Sequence, residues 1–205
     1  MMPAARARGR RSATAGLAIA LVAASTAGAL ERYEPVDLTN FLLGPENAQW
    51  LVGPIAHMAT EAERSGYLAL TDDAAAVAFV AAFWERRGPN LVFPPTGPKV
   101  TFDQRAEEAD RAFSEGTHLG RRTDRGTVFI LYGPPDAIGF GSSPQRGGDP
   151  VEVWSYSSRE KGLDGEKPDR RYAFRKQGNV TSFFPVSGVE RLRKSPSAVR
   201  PPRWR

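Results

Sequence analysis

Apolar positions recur at helical steps in the first half of this chain and at strand steps in the second. Thr60-Glu61-Ala62-Glu63 opens a short helix that ends before Thr71. Thr60 accepts from a free first-turn amide there, and Glu63 reaches back to the Thr60 amide. Thr71-Asp72-Asp73 caps a second helix and places two carboxylates at its positive end. Val77, Val80, Phe83 and Trp84 form its apolar face, and Gly88-Pro89 stops it after Arg86 and Arg87. The proline-rich run Pro89 to Pro98 reads as a loop. Thr101 with Gln104 starts a third helix, in which Phe102, Ala106, Ala109 and Phe113 form a stripe, Glu107 and Arg111 pair four apart, and Gly116 closes the end.

From Thr127 the period changes. Thr127 to Tyr132 is almost continuously apolar and rich in β-branched and aromatic residues, the pattern of a strand buried on both faces, and Gly133-Pro134-Pro135 ends it. Val151 to Tyr156 alternates like a strand with one wet face. Arg171 to Arg175 and Val180 to Phe184 are two further strands, joined by a hairpin turn at Lys176-Gln177-Gly178-Asn179. Gly139 to Pro150 and Ser158 to Arg170 read as loops, and Glu31 to Pro54 as irregular structure packed over the domain. Helices followed by strands predict an α+β domain, residues 55–189, with a small antiparallel sheet.

Residues 1–29 have the layout of a secretory signal: Arg6, Arg8, Arg10 and Arg11, an apolar run from Gly16 to Ala24, and small residues at Ala27-Gly28-Ala29. The run is shorter than the roughly 20 residues that span a bilayer. Cleavage after Ala29 is expected, with a retained N-terminal anchor as the alternative. Ser12, Ala13 and Thr14 after the arginine pair match a twin-arginine route poorly. Removing the four leader arginines lowers the formal net charge from +5 to +1. Residues 190–205 hold six basic side chains and one acid, a basic, proline-containing tail expected to be disordered, which leaves the body at −4. With the excess charge in leader and tail, nucleic acid is not an expected partner. The tail has the composition for electrostatic contact with anionic lipid or cell-wall polymer. The absence of cysteine excludes disulfides and thiolate chemistry.

Five blocks in order resemble the GWxTD domain family, exported bacterial proteins of unestablished function. They are Phe83-Trp84-Glu85-Arg86-Arg87-Gly88-Pro89, Arg105 with Ala109 and Phe113, Gly120-Arg121-Arg122-Thr123-Asp124-Arg125-Gly126, Tyr132-Gly133-Pro134-Pro135-Asp136, and Val151 to Tyr156. The likeness covers about Ile55 to Tyr156. Arg121 stands where the family usually has tryptophan, and Gly88 where it usually has aspartate. The resemblance implies an envelope location and marks Gly120, Thr123, Asp124, Arg125, Gly126, Tyr132, Gly133, Pro135 and Asp136 as motif residues. It implies no reaction.

Asp124, Arg125 and Asp136 can either present a charged surface or serve as turn chemistry, and the second reading is favoured because Thr-Asp-Arg-Gly suits a turn. A hydrolase would need its two carboxylates about 5 to 10 Å apart. A strand between Asp124 and Asp136 would separate them by roughly 20 Å. His57 and His118, the two histidines, are expected on the surface or in loops, and neither a G-x-S-x-G elbow nor a metal-binding motif accompanies them. No cofactor or metal is expected. The sequence predicts an exported, non-catalytic interaction module of the cell envelope, binding an envelope protein, peptide or glycan. An envelope hydrolase, or an accessory subunit of one, using Asp124, Arg125 and Asp136 is the alternative.

Overall fold

The computed structural model describes residues 30, 32–88, 97–141, 149–157 and 160–184. The expected leader, most of the proline-rich loop, residues 142–148 and the tail expected to be disordered lie outside the described residues. Among the described residues five α-helices precede a four-stranded sheet: α1 Pro54–Met58, α2 Glu61–Leu68, α3 Asp73–Arg86, α4 Pro98–Phe113, α5 Asp124–Tyr132, then β1 Ala137–Gly141, β2 Val151–Ser155, β3 Arg171–Gln177 and β4 Val180–Phe183. The result is an α+β domain whose sheet is an antiparallel meander in the order β1-β2-β3-β4.

The segment before α1 consists of turns and one short 3-10 turn, Pro35–Leu38, and is tied down by side chains. Buried Asn40 donates to the carbonyls of Tyr67 and Leu70, both at 2.9 Å, which ties this segment to the C-terminal end of α2. Trp50 packs on Tyr67, Phe79 and Phe83 with ring centroids 4.7, 6.1 and 4.9 Å away. Helix α1 has no counterpart in the hydrophobic pattern, because five residues are too few to show a period.

The expected capping box at Thr60 and Glu63 is present. Glu63 also receives Arg87, with Nη2 at 2.7 Å and Nη1 at 3.0 Å, so the carboxylate that caps α2 anchors the end of α3. Arg87 further donates to the carbonyls of Met58 and Phe83 and covers the Phe83 ring at 3.4 Å. Asp72 caps α3 by accepting from the Ala75 amide at 2.8 Å. One residue of the expected α3 face is misplaced: Val77 is 61% exposed, while Ala76, Phe83 and Trp84 are buried.

Helix α4 starts three residues earlier than expected, because Gly97 takes the cap position and Pro98 supplies a preset first-turn φ. It ends at Phe113, with Gly116 (φ +59°) in the following turn. The predicted stripe is real: Ala106, Ala109 and Phe113 are buried, with Phe102 partly so.

The main correction concerns Thr127 to Tyr132, which is helix α5 and not a strand. A helix buried all round and a strand buried on both faces both produce an uninterrupted apolar run. Cap chemistry decides between them here. The Thr123 hydroxyl accepts from the Gly126 amide at 3.1 Å and donates to the Gly120 carbonyl at 2.8 Å, Asp124 adds a carboxylate to the first turn, and Gly133 (φ +81°) ends the helix. Leu131 joins the core of the N-terminal helices, while Val128, Phe129 and Ile130 join the core between α4 and the sheet. Helix α5 is therefore the wall between two cores.

The last three residues of β1 fall in the stretch from Gly139 expected to be a loop. In β2, Val151 and Val153 are buried along with Trp154, so neither face is wet as the alternation suggested. Val153 pairs with Ala173, and Phe184 packs against that outer cluster. Trp154, Tyr172 and Phe174 fill the helix side. The hairpin between β3 and β4 reduces to Gly178 and Asn179, with Gly178 at φ +62°.

Two glycines allow the helices to approach this closely. A Cβ on Gly120 would stand 1.8 Å from the Ala109 carbonyl oxygen, and one on Gly126 would stand 1.8 Å from that of Gly120. Gly120→Ala or Gly126→Ala should therefore cost at least about 3 kcal/mol in urea unfolding. Gly139→Ala, with open space around it, should change little. Stability should also fall with acid. Arg87 holds the Glu63 carboxyl at about 2, below its ordinary 4.5, assisted by the Thr60 amide and Arg86 and opposed by burial. A depressed carboxylate stabilises the fold above its unfolded pKa, and that contribution disappears as pH falls from about 4.5 toward 2. Glu63→Gln should remove this slope in pH-dependent unfolding.

Candidate functional site

The segment Gly120 to Asp136 runs from a 3-10 turn at Gly120–Arg122 through α5 to the turn before β1. Its backbone is held by the end of α4. The Asp110 carboxylate accepts from the Arg121 amide at 2.8 Å and from Arg121 Nε at 2.7 Å, so Arg121 lies along α4 as a half-exposed ion pair. Arg122 points elsewhere, donating to Gln49 Oε1 at 2.5 Å.

Arg125 occupies the first turn of α5 and reaches between two carboxylates. Nη2 meets Glu115 Oε1, Nη1 donates to Glu152 Oε2 at 3.1 Å, and the guanidinium lies 5.5 Å from the centre of the Phe113 ring. Both acids have second tasks. Glu115 Oε2 accepts from the Thr181 amide at 2.5 Å, and Glu152 Oε1 accepts from the Trp154 indole at 2.6 Å. Burial opposes the charge on Glu115, but its bonds to Thr181 and the nearby Arg125 outweigh that and leave the carboxyl below its usual range.

Asp124 turns the other way and accepts from the Phe183 amide at 2.6 Å. Burial raises its pKa above the ordinary value, reinforced by Glu115, while the Phe183 amide and Arg32 pull it down. It lines a cleft of about 140 Å³ together with Arg32, Tyr33, His57, Arg122 and Thr127. Two neighbouring amides of β4, those of Thr181 and Phe183, thus end on carboxylates from the segment leading into α5.

At the far end, Asp136 is exposed and accepts from the Ser157 hydroxyl at 2.6 Å and amide at 2.5 Å, and these bonds lower its pKa. Tyr132 donates to Asp164 Oδ2 at 2.5 Å and stacks on Tyr172 at 5.8 Å. Burial raises its pKa, and the bond to Asp164 raises it further. Gly133 leaves room for Arg105, whose Nη2 would be 3.1 Å from a Cβ there, and Pro135 is buried. A helical rise of 1.5 Å per residue shortens the expected gap between Asp124 and Asp136, yet α5 alone still separates its ends by about 12 Å. The structure does not bring the two carboxylates together.

The GWxTD domain family model matches residues 44–183, from the turn before Trp50 to the end of β4. The chain belongs to the GWxTD domain family. No curated protein and no solved structure matches it. The family match runs wider than the five blocks at both ends, and it takes in β3 and β4, whose amides the motif carboxylates hold.

Sequence reasoning missed three side chains of this GWxTD domain. Glu115 and Glu152 flank Arg125 from distant positions, and no spacing rule connects them. His57, expected on the surface or in a loop, is a partly buried residue of α1, edge-on to Tyr33 at 5.3 Å and beside Asp124 in the cleft. His118 is exposed in the turn after α4, as expected. Among the described residues no group of three or more His, Cys, Asp or Glu is placed to hold a metal, and no helix is long and apolar enough to cross a membrane.

Asp124→Ala leaves the Phe183 amide without an acceptor and should cost about 1–3 kcal/mol in chemical unfolding. Because burial raises the folded pKa of Asp124, its contribution is full below the unfolded value and is lost as pH rises through the folded one. Asp124→Asn keeps an acceptor without the charge, and should therefore be at least as stable as the parent at pH 7.

Proposed function

We propose that this GWxTD domain is an exported, non-catalytic interaction module of the bacterial cell envelope, which recognises a protein, peptide or glycan. The observation that carries this reading is the commitment of the motif's charged groups. Arg125 is divided between Glu115 and Glu152, Asp124 is bound to the Phe183 amide, and Asp136 to Ser157. Groups engaged in this way fix a surface better than they transfer protons. That surface includes a groove of about 480 Å³ lined by Arg125, Phe140, Asp149, Lys176, Asn179 and Thr181, with Phe140 52% exposed at its side. Export rests on the leader sequence, and the basic tail supplies a second, electrostatic contact with anionic lipid or cell-wall polymer.

One observation favours an envelope hydrolase as a second reading. A carboxyl raised by burial in a cleft beside a histidine and an arginine is an arrangement found in acid–base sites. Asp124 with His57 would carry that chemistry, and Asp136 would have no part in it.

A photo-crosslinking residue at Phe140 separates the two readings, with the same residue at exposed Val77 as the control. The module reading predicts a discrete adduct in the periplasm from position 140, little from position 77, and no turnover of cell-wall peptides or glycans. Equal labelling from both positions, or turnover that Asp124→Asn abolishes in a folded protein, would contradict it.

A further inference from the structure

Arg105 is half-buried on α4 and, among the described residues, lacks the carboxylate partner that comparable arginines have. Arg64, Arg87, Arg121 and Arg125 each meet a carboxylate, at Glu61, Glu63, Asp110 and the Glu115–Glu152 pair. Arg105 forms no ion pair among the described residues. Its Nη1 donates to the carbonyls of Ile130 and Leu131 at 2.9 and 3.1 Å, which places a cation at the negative end of α5. That use occupies one nitrogen. A guanidinium has five N–H donors in a fixed fork, and the set suits two oxygens of one acid group.

The guanidinium lines a cavity of about 130 Å³ with Tyr132, Glu160, Lys161, Gly162 and Pro168. At about 30 Å³ per water this is the space of some four waters, enough for one carboxylate or phosphate group. The neighbouring polar groups do not compete for it. The Tyr132 hydroxyl is bound to Asp164, the Gly162 amide to the Glu166 carbonyl, and the Leu131 carbonyl to Arg105 and the Leu163 amide. Lys161 and Glu160 stand exposed at the rim, and Glu108 acts on Arg105 only through its field, without an ion pair among the described residues.

We propose that the Arg105 cavity is a binding site for a single small oxyanion group, a carboxylate or a phosphate, held by the free side of the guanidinium with Lys161 at the entrance. The site lies at the opposite end of α5 from Asp124 and Arg125, and it does not depend on the interaction-module reading.

The test is titration of 15N-labelled protein with acetate and with inorganic phosphate, following the Arg105 Nε–Hε resonance, with sodium chloride at matched ionic strength as the control. The expected result is a saturable shift with at least one anion and none with chloride. Saturation by acetate alone points to a carboxylate ligand, and by phosphate alone to a phosphorylated one. Lys161→Glu, an exposed change that should leave the melting temperature unaltered, should weaken the apparent Kd about two- to fivefold. Arg105→Gln should abolish the response, but it also removes the bonds to the last carbonyls of α5, so Lys161→Glu is the deciding substitution. The proposal is overturned if neither anion saturates by about 0.1 M, where screening length falls to about 10 Å. It is equally overturned if Lys161→Glu leaves the response unchanged.

Discussion

A guanidinium taken out of water must find its counter-charges in the fold, and Arg125 finds two. Glu115 comes from the turn after α4 and Glu152 from β2, so one side chain in the first turn of α5 joins three separate pieces of chain. Each acid is fixed in turn by Thr181 or Trp154, which extends the tie to β4 and to the core under the sheet. Removing one member of such a partly buried network leaves uncompensated charge, at a cost of about 3–5 kcal/mol. The placement of α5, and with it the seam between the two cores, depends on this clamp.

The clamp also accounts for the edge of the sheet. An unpaired edge strand offers amides to other chains. On β4 the amides of Thr181 and Phe183 are taken by Glu115 and Asp124, so carboxylates stand in for a neighbouring strand. The acids beside the motif therefore perform a sheet's task from a helix's first turn. The GWxTD match, which runs to residue 183, includes both of these amides.

Much of this was legible in the sequence. Caps at Thr60 and Asp72, the α4 stripe and the β3–β4 hairpin are local features, written in residues three or four apart, and they appear in the structure nearly where expected. Helix α5 was misread because burial on all sides erases the period that distinguishes helix from strand. The cap at Thr123 and Gly126 carried the decisive information. Arg125 was legible as a motif residue. Its partners were not, because Glu115 and Glu152 meet it only through tertiary folding, just as His57 and Asp124 come to line one cleft.

The motif thus acts first as a joint, which holds two cores and a sheet edge in register and leaves a groove with exposed Phe140 beside it. The most direct test is a double-mutant cycle on Arg125→Met and Glu152→Gln, measured by urea unfolding. The clamp predicts a coupling of at least about 2 kcal/mol, within the range seen for residues sharing one network. A coupling below about 0.5 kcal/mol, with Arg125→Met as stable as the parent, would contradict it.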